Sequence, residues 1–424
     1  MLKKLYIHNF KSFWHSHFEF GKVNCLIAPN NTGKSNLIEA IEFIDNLLFS
    51  RDTQDYNHNF KELTNYRHDE SNIKFELEFE LENKVLVYYD LFYYKYTVKF
   101  NITLGKINNI DLELDGYIKS IKIDTNHHKD ISAQAFGLRI YDDYLNETKI
   151  ENYEDYINKL DASRYSKFNF KYSLNTLSYQ LEASLKTKQM VQNILELQLN
   201  TKNELIKNVD FKNIFSKRIF SSHYFHANLI KNNPVESSPV FLNKYGTNLI
   251  EFISGQDNET IEDISTSMIG EVEQVNSIKI VEAAYKTLFF IEDGEYEVPL
   301  KKTSDGTVHF LAIMSALIAS DKSVIAMMFE EPERHMHMKV LSTILNTMRD
   351  SKSQIFFTTH SGEILRELNQ DEIIFLYRDE DTGDTKSLNA SRIKQLDKIF
   401  RKYKYEISDI VKDSVLGYIG DFNG

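Results

Sequence analysis

Hydrophobic and polar positions near the N-terminus alternate with a period of two, which predicts a hairpin of two short strands. The apolar side chains fall at Leu5 and Ile7 and then at Phe18 and Phe20, and an apolar stretch over 23–27 predicts a buried strand. Apolar residues recur with helical spacing over 37–44. The first fifty residues therefore predict the order strand, loop, helix.

A second alternating stretch covers 72–82, with Ile, Phe and Leu on one face and Lys and Glu on the other. It predicts a half-buried antiparallel strand, and similar runs to about residue 125 predict an antiparallel sheet. From about 127 the sequence becomes polar and rich in Asn and Lys, with helical spacing near 185–209. We predict a mainly helical insertion over 127–235.

The last third alternates between helical and apolar strand-like segments, which predicts a mostly parallel central sheet. The segments are a helix at 308–319, a strand at 324–329, a helix at 340–348, strands at 355–358 and 373–377, and a hairpin turn at 379–384. The fold class is therefore α/β. We divide the chain into 1–126, the insertion 127–235, and 236–424.

The net charge, the cysteine count and the lack of long apolar runs exclude several classes of protein. The chain has 424 residues and a net charge of −12, so binding to nucleic acid would require a local basic patch. The candidates for that patch are Lys202, Lys207, Lys212, Lys217 and Arg218. The single cysteine, Cys25, excludes an internal disulfide and a cysteine-based zinc site. Because there is neither a signal peptide nor a long apolar run, we expect a cytoplasmic protein with no membrane partner.

The loop after the first buried strand has the pattern of a phosphate-binding loop, with Ala28 in place of the usual first glycine. Its backbone amides would cradle the phosphates of ATP, the Lys34 ammonium would neutralise the β- and γ-oxygens, and the Ser35 hydroxyl would bind Mg²⁺. The candidate nucleotide-binding residues are Asn30, Asn31, Thr32, Gly33, Lys34, Ser35 and Asn36. Asn31 is compatible with a left-handed backbone. The alternative is a chance Gly-Lys-Ser sequence in an ordinary loop.

Two acidic residues end the apolar stretch at 324–329, as in a Walker B motif. Glu330 stands where Asp is usual and would contribute to binding Mg²⁺, and Glu331 would polarise the attacking water as general base. The alternative is a solvated acidic turn after a core strand.

Two further polar segments complete the candidate site. His360 follows the next buried strand and would sense the γ-phosphate, although a lone histidine in a loop is more often structural. Ser304 and Gly306 precede an apolar helix and would form an anion site at its start, although alone they are an ordinary helix cap.

Together these motifs resemble ABC-type ATPases of the SMC-like branch, and most closely the OLD/RecF-like group. The similar stretches are Asn9-Phe10-Lys11-Ser12-Phe13, the phosphate loop, Ser304-Asp305-Gly306-Thr307, Glu330-Glu331-Pro332-Glu333 and Thr359-His360-Ser361. The resemblance covers about 1–125 and 235–390. Met336-His337-Met338 departs from the group's Leu-His-Pro, and we find no Q-loop glutamine near 66–68.

The resemblance implies an ABC/SMC-head-like P-loop fold and ATP bound with Mg²⁺ at composite sites. Ser304 and Gly306 of one copy would contact the γ-phosphate held by a second copy. Proteins of this size resemble the ATPase subunits of Septu- and PARIS-type anti-phage systems, which act on a separate nuclease or toxin effector. The expected partners are therefore a second copy and an effector. Two alternatives remain, a RecF-like repair ATPase that binds DNA and a nucleotide-binding scaffold with little turnover.

Overall fold

The structure is a computed structural model of the chain. The residues that it describes are 1–29, 31–49, 60–87, 90–104, 107–122, 165–177, 218–232, 241–272, 274–282, 286–319, 324–336 and 338–393.

Fifteen strands and eight α-helices are labelled here within those residues. The strands are β1 Leu2–His8, β2 Ser16–Glu19, β3 Val23–Ile27, β4 Ile73–Val87, β5 Asp90–Leu104, β6 Ile107–Lys122, β7 Tyr165–Leu177, β8 Arg218–His223, β9 Val275–Glu282, β10 Lys286–Glu292, β11 Tyr296–Pro299, β12 Val324–Glu330, β13 Gln354–Thr358, β14 Ile373–Arg378 and β15 Thr385–Asn389. The helices are α1 Lys34–Phe49, α2 Phe60–Leu63, α3 Ala227–Asn232, α4 Leu249–Ser254, α5 Asn258–Met268, α6 Asp305–Ala319, α7 Met338–Asp350 and α8 Gly362–Glu367.

The first sheet is antiparallel and has the strand order β2-β1-β4-β5-β6-β7. In β4 the side chains of Ile73, Phe75, Leu77 and Phe79 are buried, whereas Lys74 and Glu76 between them are exposed. The predicted hairpin and antiparallel sheet are therefore confirmed. The sheet extends to β7, which lies in the segment for which we predicted a mainly helical insertion, so that prediction is wrong for 165–177.

The second sheet has the order β15-β14-β3-β13-β12-β8, and every neighbouring pair is parallel except β14 with β15. Strands β3 and β13 are buried at every position, as expected for parallel strands covered on both faces. The predicted central sheet and the turn at 379–384 are confirmed, and the fold class is α/β as predicted.

Strand β8 changes the domain boundary that we predicted at 235. It pairs in parallel with β12 and so belongs to the central sheet. Its sequence, RIFSSH, contains only two large apolar residues, and this explains why the hydrophobic pattern did not reveal it. The helix predicted near 185–209 lies outside the described residues.

The central sheet separates two hydrophobic cores because successive side chains of a strand point to opposite faces. Leu26 of β3 packs with the antiparallel sheet and α1. Cys25 and Ile27 pack on the other side with α4 to α7 and a small antiparallel sheet of β9, β10 and β11. That three-stranded sheet was not predicted. Within the described residues, no helix is both long enough and apolar enough to span a bilayer.

Candidate functional site

The candidate site lies at the carboxyl ends of three neighbouring parallel strands. β13 lies between β3 and β12 in the central sheet, so the segments after these strands meet at one edge. Open α/β sheets bind their ligands in such positions. The phosphate loop follows β3, the two glutamates end β12 and His360 follows β13.

The phosphate loop has the backbone that a phosphate cradle requires. Asn31 has a φ of 62° and Gly33 a φ of 110°, so Asn31 adopts the left-handed backbone with which its residue type is compatible. The Thr32 hydroxyl donates to the Pro29 carbonyl at 2.8 Å, which closes the turn. Helix α1 begins at Lys34 and directs its free amides toward the loop. Asn30 lies outside the described residues.

Lys34 links the phosphate loop to the histidine after β13. Its ammonium donates to the Ala28 carbonyl at 3.0 Å and to His360 Nε2 at 2.8 Å. Partial burial lowers the pKa of Lys34, and the carboxylate of Glu331 opposes that shift. The ammonium is thus poorly solvated and attracted by negative charge, which favours an anionic ligand in the loop.

The two glutamates lie beside this pair. Glu331 has a φ of 47°, and its amide donates to the carbonyl and the hydroxyl of Thr358, both at 3.2 Å. This left-handed turn places Glu331 Oε1 3.9 Å from His360 Nε2. For a non-glycine residue such a backbone costs about 1–3 kcal/mol, and such costs cluster at functional sites. The structure therefore brings Lys34, Glu331 and His360 together.

Ser35 and Glu330 are the residues that would hold a magnesium ion at this site. Burial, and then the neighbouring charge of Glu331, raise the pKa of Glu330, so a divalent cation there would relieve both effects. The Ser35 side chain is exposed at the start of α1. Within the described residues, no cluster of three or more His, Cys, Asp or Glu side chains could hold a metal. Mg²⁺ commonly takes one or two protein oxygens and fills its shell with water and phosphate.

Two strands that sequence reasoning did not connect with the site support the phosphate loop. The Arg378 guanidinium of β14 donates to the Asn31 carbonyl through Nε at 3.2 Å and Nη2 at 2.9 Å. The Thr385 hydroxyl of β15 contacts the Thr32 carbonyl at 2.7 Å and the Ser12 hydroxyl at 2.8 Å. Since these strands lie some 350 residues along the chain from the loop, nothing local in the sequence indicated the contact.

Asn36 has a structural contact within this support. Its Nδ2 donates to the Ser12 hydroxyl at 2.8 Å. The segment around Ser12 is thus bound both to α1 and to β15.

Ser304 and Gly306 are not part of the cluster formed by Lys34, Glu331 and His360. The Ser304 hydroxyl accepts from the amide of Thr307 at 3.1 Å, which caps α6, and the Ser304 side chain is exposed. A side chain at Gly306 would place its Cβ 2.4 Å from the His335 carbonyl oxygen. The Lys231 ammonium donates to the Thr303 carbonyl and to the Asp305 carboxylate. Among the described residues, no hydrogen bond is seen from 303–307 to Lys34 or Glu331.

The segment suggested for a Q-loop contacts the β14–β15 hairpin. Arg67 donates to the Thr382 carbonyl at 3.0 Å, and His68 Nε2 pairs with the buried Asp384 carboxylate at 3.0 Å. The segment therefore connects the antiparallel sheet to the hairpin that supports the phosphate loop.

Comparisons with known proteins identify the family of the chain. Residues 23–366 match the family described as "AAA domain, putative AbiEii toxin, Type IV TA system". An "ATP/GTP phosphatase" of Helicobacter pylori (strain ATCC 700392 / 26695) is 26% identical over 398 residues, which cover 87% of this chain and 88% of that protein.

Two solved structures are also similar. An SmcHead bound to the C-winged helix domain of ScpA has a TM-score of 0.47 at 13% identity, covering 92% of this chain and 99% of that one. The recombination mediator protein RecF-ATPrS has a TM-score of 0.37 at 15% identity, covering 92% and 98%. The family match spans well over half of the sequence, and the chain therefore belongs to this family of AAA domains.

Proposed function

We propose that this AAA-type ATPase hydrolyses ATP at a composite site formed by two copies of the chain. The observation that carries the proposal is the convergence of Lys34, Glu331 and His360 at one edge of the central sheet. Lys34 supplies a cation for the phosphates, and Glu331 supplies a carboxylate for the attacking water. The His360 ring lies between these two side chains as a polar sensor. The name of the Helicobacter pylori relative, "ATP/GTP phosphatase", supports nucleotide hydrolysis.

Each residue of the site has a role in the proposal. The amides of the phosphate loop and the Lys34 ammonium bind the phosphates. Glu331 takes a proton from the attacking water, and His360 donates a hydrogen bond to the γ-phosphate. Mg²⁺, held by Ser35 and Glu330, would neutralise the charge that develops on the phosphate oxygens.

The composite site accounts for the position of Ser304 and Gly306. Ser304 is exposed at the start of a 15-residue helix. An exposed hydroxyl and free helix amides bind anions well, and a phosphate held by a second copy would satisfy them. ATP would then join two copies, and hydrolysis would separate them.

For the cellular role, we propose the ATPase subunit of an anti-phage defence complex with a separate effector, a nuclease or a toxin. The description of the matching family, which names a putative toxin and a toxin–antitoxin system, supports a function in such a pair. The RecF-like repair ATPase receives no comparable support. Four of its basic candidates, Lys202, Lys207, Lys212 and Lys217, lie outside the described residues, and of Arg218 only the backbone, in β8, is described.

The rate of phosphate release from ATP by the variant Glu331→Gln tests the proposed role of Glu331 as general base. We expect turnover to fall by at least about a hundredfold while nucleotide still binds, because the amide cannot accept the proton. Glu363→Gln, at an exposed glutamate of α8, is the matched control and should keep wild-type turnover. Undiminished turnover in Glu331→Gln would refute the role of Glu331. Turnover close to background in the wild type as well would favour the scaffold.

Recovery of the complex from the native host tests the cellular role. Tagged Glu331→Gln protein is isolated with ATP, and bound proteins and nucleic acid are identified. A stoichiometric protein with nuclease or toxin motifs is the expected result. Salt-sensitive DNA without a protein partner would instead support the repair ATPase.

A further inference from the structure

The third carboxylate of the acidic stretch, Glu333, lies next to the site but is not used by the proposed reaction. Its Oε1 accepts hydrogen bonds from the Thr359 hydroxyl at 2.7 Å and from the His360 amide at 3.1 Å. Both donors belong to the segment after β13, whereas Glu333 belongs to the turn after β12. One carboxylate oxygen thus joins the two segments that carry Glu331 and His360.

Burial of the Glu333 carboxylate is unfavourable for the free energy of folding, and its two hydrogen bonds offset only part of this effect. Its Oε2 is buried, and no group of the described residues donates a hydrogen bond to it. Burial raises the pKa of Glu333, and the hydrogen bond from Thr359 opposes that shift. A buried acceptor left unsatisfied destabilises the folded state. An apolar side chain at this position would pack without an unsatisfied acceptor. The presence of a carboxylate therefore indicates a role beyond packing.

The hydrogen bonds on Glu333 belong to a short network that fixes the backbone around His360. The Thr359 hydroxyl donates to Glu333, so it is free to accept from the Ser361 amide, which it does at 2.9 Å. The Ser361 hydroxyl in turn caps α8 by accepting from the amides of Glu363 and Ile364. The residues on both sides of His360 are therefore anchored, and its own amide is bound to Glu333.

We propose that Glu333 is a positioning residue that holds His360 between Lys34 and Glu331. With its backbone fixed, the His360 ring places Nε2 2.8 Å from Lys34 Nζ and 3.9 Å from Glu331 Oε1. Glu333 acts only through His360 and contacts no substrate. This inference rests on the proposed ATPase function and assigns a further residue to the same site.

The test is a double-mutant cycle on ATP turnover with Glu333→Ala, His360→Ala and the double variant. We expect Glu333→Ala to lower kcat by about ten- to a hundredfold with KM for ATP within about twofold, because misplaced catalytic groups affect the reaction more than binding. In the His360→Ala background the same change should lower kcat by less than about twofold, since no ring remains to be positioned. Glu363→Ala is the surface control and should leave turnover unchanged.

The conservative variant Glu333→Gln distinguishes the effect of the two hydrogen bonds on kcat from the effect of the negative charge. Its amide oxygen accepts the same two hydrogen bonds, so kcat should stay within about threefold of wild type. Thr359→Val, which removes one of the two donors from a buried site, provides an independent variant if Glu333→Ala lowers the melting temperature strongly. It should lower kcat in the wild-type background but not in His360→Ala.

Three results would overturn the proposal. They are equal losses of kcat from Glu333→Ala with and without His360, a loss in Glu333→Gln as large as in Glu333→Ala, and wild-type kcat in Glu333→Ala. Failure of the proposed function looks different, because His360→Ala and Glu331→Gln would then both retain wild-type turnover.

Discussion

At the residue scale, Gly33 is restricted by both its backbone and its surroundings. Its φ is 110°, and an added Cβ would lie 2.8 Å from the Ser12 hydroxyl and 2.8 Å from the Thr385 hydroxyl. Glycine is therefore required here by the packing of the loop against β15, in addition to any close approach of a phosphate.

We expect Gly33→Ala to lower the free energy of unfolding by about 2–4 kcal/mol, from backbone strain and displaced hydroxyl groups together. Gly294→Ala is the matched control, since Gly294 also has a positive φ of 76° but no atom within 4 Å of the added Cβ. Its loss should be only about 1 kcal/mol. Urea unfolding measures both, and equal losses would contradict the crowding at Gly33.

His309 illustrates how burial of one residue controls stability at low pH. Its Nδ1 donates to the Arg334 carbonyl at 2.7 Å, and burial lowers the pKa of His309 from 6.5 to about 4. The folded state therefore keeps His309 neutral, whereas the unfolded chain binds a proton as the pH falls below 6.5.

Stability should accordingly decrease between about pH 6.5 and pH 4, by up to about 3 kcal/mol from this residue. Urea unfolding at several pH values checks this. In His309→Asn the side-chain amide still donates to the Arg334 carbonyl but does not titrate, so its stability should depend less on pH over the same range. An identical pH dependence in both proteins would show that His309 is not responsible.

At the scale of elements, the β14–β15 hairpin supports the phosphate loop from one side. Arg378 and Thr385 contact consecutive carbonyls of the loop, and Asp384 pairs with His68. The loop conformation therefore depends on two strands distant in sequence as well as on β3 and α1. We therefore expect a mutation in the hairpin to affect nucleotide binding, although the mutated residue itself contacts no nucleotide.

We expect Thr385→Val to weaken ATP binding about five- to thirtyfold, because the Thr32 carbonyl and the Ser12 hydroxyl lose a buried partner worth about 1–2 kcal/mol. Thr382→Val, the same change at the exposed tip of the hairpin, is the control and should bind ATP as the wild type does. Isothermal titration measures both affinities. Unchanged affinity in Thr385→Val would show that the hairpin does not support the loop.

At the scale of the whole molecule, the contacts within one chain leave the proposed composite site incomplete. Lys34, Glu331 and His360 are assembled by one sheet edge, whereas Ser304 is exposed on α6 and its described contacts lie elsewhere. We expect Glu331→Gln to double its mass in light scattering when ATP is added, because hydrolysis no longer separates the two copies. A monomer mass with and without ATP would contradict the composite site.

Ser304→Glu in the Glu331→Gln background is the matched control for this measurement. The added carboxylate would repel the phosphate of the second copy, and Ser304 is exposed, so the fold should not change. The double variant should bind ATP and remain a monomer. Association that persists in it would show that the two copies meet through another surface.

The local sequence alone determined the elements that carry the site and most of its reactive residues. Period-two and helical spacing identified β1, β2, β4 and α1, and apolar runs and helical spacing identified α6, β12, α7, β13 and β14. A buried face leaves such a periodic signal in the sequence. The phosphate loop and the acids after β12 were recognisable because each is a continuous segment with a fixed spacing.

The tertiary structure alone decided which segments meet. Strand β8 has too few apolar residues to show a pattern, so only its pairing with β12 placed it in the central sheet. The support of the phosphate loop by Arg378 and Thr385, and the link from Glu333 to His360, join residues distant in sequence. Such contacts follow from strand order and burial, which depend on the whole chain and leave no local signal in its sequence.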